Sequence, residues 1–202
     1  VTPQGMHFKT CGLKECLTTA AEASGFLAKT KANAAERGKP GRFKRGIGIA
    51  SMLHVGGGAK IYPSDGCGTI LKMDDFGSVT LITGASEIGQ GSETVLAQLV
   101  CEELGLPISA VRVVNNDTEI TPWDVGVHAS RTTFIAGNSA IGAAKKARSK
   151  ILAAAGKMAD LNPDELDLRG SHIVETKSGK VVMTLAKLLR QVCNVLLLDE
   201  PT

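Results

Sequence analysis

The stretch GTILKMDDFGSVTLITGASEIGQGSETVLAQLVCEEL, residues 68–104, decides the fold. Gly68–Met73 and Ser78–Thr83 alternate apolar and polar residues around the turn residues Asp74, Asp75, Phe76 and Gly77, which predicts a β-hairpin. Gly84–Gly91 then reads as a loop. Gly91 or Ser92 can cap a helix to about Leu104, with Val95, Leu96, Leu99, Val100 and Leu104 on one face. Gly105 and Pro107 are strong stop signals for it.

Outward from this unit the elements keep mixing. Upstream, Thr10 can cap a helix from about Gly12 to Ser24, ended by Gly25. A basic connection, Lys29–Arg45, carries Gly38, Pro40 and Gly41. Gly46–His54 reads as a buried strand running into Gly56–Gly57–Gly58, and His54 as a core histidine. Downstream, Val111–Val114 is a short strand and 115–137 a long polar connection. Gly137 or Asn138 opens an alanine-rich helix to about Met158. Asn162–Pro163–Asp164 starts a further turn or short helix, followed by a hairpin of His172–Glu175 and Val181–Met183 and a helix Leu185–Cys193. Strands and helices without regular βαβ alternation predict an α+β fold, a mixed sheet with packed helices. The expected organisation is an N-terminal helical arm and basic linker over residues 1–40, and the main body over 41–202.

Composition narrows the function classes. The chain has 202 residues, 43% hydrophobic and 21% charged, which excludes bulk disorder. No apolar run approaches the roughly 18 residues of a membrane span. Val1–Thr10 shows no secretory apolar region. Aromatic residues make up only 3%, a poor inventory for stacking bases or sugars, and the net charge of +3 is too mild to argue for nucleic acid. That charge is uneven: residues 1–60 hold ten Lys/Arg against three Asp/Glu. Such a basic third is a solvated face or a docking patch for an acidic partner. The five cysteines lack CxxC spacing and the four histidines are scattered, so neither a disulfide scaffold nor a zinc site is read.

Two loops carry the candidate chemistry, each running into a helix. The first is Glu87–Ser92, with Gly89, Gln90 and Gly91 at its centre. Its glycines allow close backbone approach, and the Gln amide both donates and accepts. The helix behind offers N–H groups to an anion or a polar ring. The second is Trp123–Thr133, with His128, Ala129, Ser130, Arg131 and Thr132 at its end. A cation and hydroxyls ahead of a helix suit a phosphate or pyrophosphate. From spacing alone, either loop also fits an ordinary turn with a capping residue.

Taken together, Ser86–Val95 (SEIGQGSETV), Val114–Thr118 (VNNDT) and Pro122–Asn138 (PWDVGVHASRTTFIAGN) resemble the molybdenum-binding large subunit of the xanthine dehydrogenase and aldehyde oxidase family. Trp123–Asn138, and the opening with Cys11–Cys16, look most like its 4-hydroxybenzoyl-CoA reductase branch. The resemblance implies an interior fragment of a longer molybdenum hydroxylase-type oxidoreductase. Its substrates would be aromatic, heteroaromatic or aldehydic, and the fragment would be inactive alone. The implied cofactor is molybdopterin with molybdenum, plain or as the cytosine dinucleotide. Iron–sulfur clusters and FAD would sit on other domains or subunits. By position, Gly89, Gln90 and Gly91 would flank the pterin, and His128, Ala129, Ser130, Arg131 and Thr132 would line the cofactor and its phosphate. The resemblance implies no catalytic residue and no direct metal ligand in this stretch. Implied partners are the rest of the subunit, the iron–sulfur and FAD components and a small-molecule substrate, in a cytoplasmic oligomer without nucleic acid or membrane.

Two other readings compete. A non-catalytic binding or scaffold module would use the basic N-terminal third. The tail Val195–Leu198 followed by Asp199–Glu200 resembles the Walker B segment of ABC-type ATPases. A nucleotide site would also need a phosphate-cradling loop, which the sequence lacks.

Overall fold

A computed structural model of the protein describes residues 5, 7–52, 54, 56, 65–192 and 197–201. They fall into two compact units, Val1–Leu53 and His54–Thr202. The first unit holds α1 (Leu13–Ser24) and α2 (Phe26–Ala35). Gly25 lies between them at φ +64°, closing one helix and opening the next. The stretch read as a basic linker is thus helical as far as Ala35. Its Ala-rich, straight-chain composition supports a helix until Gly38 and Pro40 stop it. The strand expected over Gly46–His54 does not form among the described residues. Those residues are mostly exposed, so no sheet partner covers them. Most of Gly56–Gly57–Gly58 lies outside the described residues, as does Cys193.

The second unit is the α+β body. Its larger sheet has the order β3-β2-β1-β7, built from β1 (Gly68–Met73), β2 (Val79–Thr83), β3 (Val111–Val114) and β7 (Leu197–Pro201). β1 pairs antiparallel with both β2 and β7, as predicted for the hairpin and unforeseen for the tail. β3 lies parallel to β2, so α3 (Ser92–Leu104) is the crossover of a βαβ unit. A three-stranded meander follows: β4 (Leu166–Arg169), β5 (His172–Glu175) and β6 (Val181–Thr184), then α5 (Leu185–Val192). The last four residues of the Walker-B-like tail that are described thus serve as a sheet strand.

The longest element is α4 (Thr132–Ala159). It starts a full turn before the expected Gly137. Its buried face is a stripe of Ala136, Ala140, Ala143, Ala144, Ala147, Ile151 and Ala155 at helical spacing. Small residues let α3 and the sheet come close. A Cβ on Gly137 would already lie 3.0 Å from Leu99 of α3. The bulk of the core comes from the facing elements: Leu71 and Met73 of β1, Val79 and Leu81 of β2, Leu96, Val100 and Leu104 of α3. Burying each large aliphatic contributes roughly 1.5–3 kcal/mol. Arg148 joins α4 to both neighbours, donating to the Glu103 carbonyl at 3.0 Å and to Asp167 of β4. Among the described residues no helix is long and apolar enough to cross a membrane.

Candidate functional site

The site follows from the parallel pairing of β2 and β3. Parallel neighbours end on the same edge of a sheet, so the loops after them share that edge. Residues 84–91 leave β2 and enter α3. Residues 115–131 leave β3 and enter α4. The Asn115 amide donates to the Ala85 carbonyl at 3.2 Å, tying the two connections together. Between them lies an open cleft of about 580 Å³, lined by Ser86, Asn116, Asp117, Thr118, Thr121 and Trp123 among others. Trp123 is 60% exposed there.

The floor of the second loop is pressed onto the hairpin. Cys67 and Asp124 form an antiparallel bridge, and the Gly68 amide donates to the Trp123 carbonyl at 2.9 Å. The backbone passes so close that a Cβ on Gly68 would meet Pro122 at 2.5 Å, and one on Gly84 would meet the Pro122 carbonyl at 2.3 Å. Side chains at either position would push the loop off. Burial beneath this crossing raises the Cys67 thiol to about 11, which keeps it protonated and unreactive at neutral pH.

The first loop is held from within. Gly91 is the N-cap of α3 and no side chain of its own caps the helix. Glu87 does so instead. One carboxylate oxygen accepts from the Gly89 and Gly91 amides at 2.7 and 2.9 Å. The other accepts from the Glu93 amide at 3.2 Å and the Ser92 hydroxyl at 3.1 Å. These bonds, that from Gly91 foremost, hold the Glu87 carboxyl down at about 2. Glu87 thus already occupies the Gly91 and Glu93 amides, part of the N–H set expected to face an anion or a polar ring on this helix. Gln90 lies exposed between Gly89 and Gly91, whose φ values are +98° and +82°. Its amide accepts from Ile88 at 2.6 Å and donates to the Ser86 carbonyl at 2.9 Å, bracing the loop. A Cβ on either glycine would meet nothing within 4 Å, so this loop presents open backbone.

The second loop ends in a strained turn. Ala129 and Ser130 both adopt left-handed conformations, with φ +48° and +53°. For an L-residue this costs roughly 1–2 kcal/mol. Ser130 is exposed and its hydroxyl lies 2.9 Å from His54 Nε2. His54 itself is exposed, correcting the reading of a core histidine. His128 is half-buried, and its carbonyl accepts from the Arg131 amide at 3.0 Å. Thr132, the first residue of α4, is buried.

Arg131 differs from what its loop position suggested. Its side chain is 1% exposed and turns inward. Nε donates to Asp65 at 2.6 Å, and Nη1 donates to both Asp124 oxygens at 3.0 Å and to the Gly126 carbonyl at 2.9 Å. Nη2 donates to the Gly66 carbonyl at 2.7 Å. Burial disfavours the cation, but the bonds and charge of Asp124, then of Asp65, outweigh it and its pKa rises. One cation against two carboxylates leaves this cluster net negative.

The sequence alone gives no site role to four residues that shape the site: Glu87, Asp124, Asp65 and His54. Glu87 had a signal, a carboxylate ahead of a helix whose N-cap is glycine. Asp65 and His54 had none, because their partners are 66 and 76 residues away.

The sequence profile of the molybdopterin cofactor-binding domain matches residues 19–200. The chain is 34% identical over 175 residues to the xanthine dehydrogenase molybdenum-binding subunit of Escherichia coli O157:H7, covering 84% of this chain and 22% of that protein. It is likewise 34% identical over 165 residues to the 6-hydroxypseudooxynicotine dehydrogenase complex subunit gamma of Paenarthrobacter nicotinovorans, covering 80% and 20%. In fold it is similar to a crystal structure of the Cu,Mo-CO dehydrogenase, with TM-score 0.65 and 21% identity over 100% of this chain and 28% of that one. The chain spans about a fifth of the length of the curated relatives it matches. With its paired loops on one sheet edge and a profile match across nearly all its length, this chain belongs to the molybdopterin cofactor-binding domain of the xanthine dehydrogenase and CO dehydrogenase family.

Proposed function

We propose that this chain forms part of the cofactor wall of a molybdenum-dependent oxidoreductase. The carrying observation is that the Gly89–Gly91 loop and the His128–Thr132 turn leave neighbouring parallel strands and both stop at helix N-termini. The donor chemistry fits the cofactor and divides it. The uncrowded Gly89–Gly91 backbone and the exposed Gln90 would face the pterin through the glycine carbonyls and the Gln90 amide. Glu87 already holds the Gly89 and Gly91 N–H groups, and Gln90 would have to trade its bonds to Ile88 and Ser86 for the ring. Glu87 makes the start of α3 unsuitable for a phosphate. The start of α4 offers the exposed Ser130 hydroxyl and main-chain amides, which suit a phosphate without a side-chain cation. His128, Ala129, Ser130 and Thr132 would line it there, and Arg131 would act from behind.

When bound, the cofactor supplies the molybdenum redox chemistry: hydroxylation with water oxygen or, in the 4-hydroxybenzoyl-CoA reductase branch, reductive removal of an aromatic hydroxyl. The share of this chain is to bind and orient. Substrates would be aromatic, heteroaromatic or aldehydic. The cofactor would be molybdopterin or its cytosine dinucleotide. Partners would be the remainder of the subunit and iron–sulfur and FAD components, in a cytoplasmic oligomer. One relative is named as a subunit of a dehydrogenase complex, which supports further subunits.

The test is molybdenum by elemental analysis, with pterin fluorescence after acid release, on the native polypeptide carrying this sequence. Near-stoichiometric cofactor is expected in the wild type, with clear losses in Gln90→Ala and Ser130→Ala that retain the wild-type melting temperature. Wild-type cofactor content in both variants would sink the site assignment.

A further inference from the structure

Within the turn itself only the bond from the Arg131 amide to the His128 carbonyl favours left-handed Ala129 and Ser130, and neither residue is a glycine that would adopt that conformation at ease. Something outside the turn must hold it. The residue that follows is Arg131, whose guanidinium joins three separate pieces of backbone: residues 65–66, residues 124–126 and the start of α4. The first two are themselves fixed against β1 by the Cys67–Asp124 bridge. The carboxylates are nearly as buried as the arginine, with Asp124 3% and Asp65 11% exposed. An ion cluster this dry is a poor source of net stability but a strong fixer of geometry. It is also net negative, so it has nothing to offer an incoming phosphate directly.

We propose that Arg131, clamped by Asp65 and Asp124, is a positioning residue that holds the left-handed Ala129–Ser130 turn and so sets the direction of the Ser130 hydroxyl and of the first amides of α4. The proposal deepens the reading of this turn as a cofactor wall and rests on it for its purpose. The planar fork is needed because Nε and Nη2 reach residues 65–66 while Nη1 reaches residues 124–126 at the same time. A lysine keeps the charge but offers a single point that reaches only one of them.

The experiment is amide hydrogen exchange by mass spectrometry on the native polypeptide, comparing wild type, Arg131→Lys and Arg131→Lys with Ala129→Gly. In Arg131→Lys, exchange of the hydrogen-bonded amides of residues 131 and 135 should rise about tenfold or more, while peptides from β1, β2 and residues 140–155 of α4 stay protected. Glycine at 129 is at ease at positive φ, so the double variant should recover much of that protection. Unchanged exchange of these two amides in Arg131→Lys would overturn the proposal. So would an equal rise across the whole domain that glycine fails to repair, since Arg131 would then be only a staple of the fold. Cofactor content is measured in the same samples. A loosened turn with full cofactor content would leave the clamp standing and instead refute this turn as part of the cofactor site.

Discussion

The main-chain oxygen of Pro122 stands 2.3 Å from where a side chain on Gly84 would begin. The loop after β3 therefore lies directly on the exit of β2, with Asp124 and Trp123 crowding the same point. An alanine there meets rigid backbone, not a yielding side-chain tip. Gly84→Ala should destabilise the domain by about 2–4 kcal/mol through displaced backbone. A denaturant midpoint within error of the wild type would show that the loop moves aside freely.

Glu87 predicts an acid sensitivity. Its carboxyl is held at about 2 in the fold, below its ordinary value of 4.5. A depressed carboxylate contributes stability that is complete above the ordinary value and fades as pH falls toward the folded one. Glu87→Gln should therefore be less stable than the wild type near neutral pH. The gap should close as pH falls from about 4.5 to 2. Urea melts of both proteins across that range check it, and a gap constant with pH would refute the account.

Thr69 sits on β1 fully buried, and its hydroxyl has no hydrogen-bond partner among the described residues. An unpaired buried hydroxyl is a cost, and valine has nearly the same shape. Thr69→Val should be neutral or stabilising by up to about 1 kcal/mol. A thermal melt reads this directly, and a loss of stability beyond error would mean the hydroxyl is in use.

The alanine stripe of α4 predicts intolerance to size. Ala144 is 0% exposed. Ala144→Leu should cost about 1–3 kcal/mol by forcing α4 from its neighbours, whereas Ala→Gly there costs about 1 kcal/mol through helix propensity. Chemical denaturation of the pair separates crowding from propensity; a harmless leucine would reveal an unfilled space.

How much was legible depends on distance along the chain. The hairpin of β1 and β2, the helix α3 and the strand β3 were readable because alternation, periodicity and the Gly105 stop act over a few residues. The start of α4 was misplaced to Gly137 because glycine reads as a breaker. In the fold Gly137 lies mid-helix, where its missing side chain admits Leu99. β4 was missed because Leu166–Arg169 is a strand chiefly by virtue of its partner β5. The two loops were found as loops and their family motifs were recognisable in order, so family membership was within reach of the sequence.

The sequence by itself determined the local elements, the glycine-rich and hydroxyl-rich loops and the family to which their motifs belong. Only the tertiary structure decided what the charged residues do. Arg131 looked like a cation offered to a phosphate, and Glu87 like one more loop residue. Arg131 instead spends its charge on Asp65 and Asp124, and Glu87 spends its own on the amides that open α3. The reason is physical. Backbone propensity is set by near neighbours, whereas a charge is satisfied by whatever the fold brings within three ångströms, and for Arg131 one such group comes from 66 residues away.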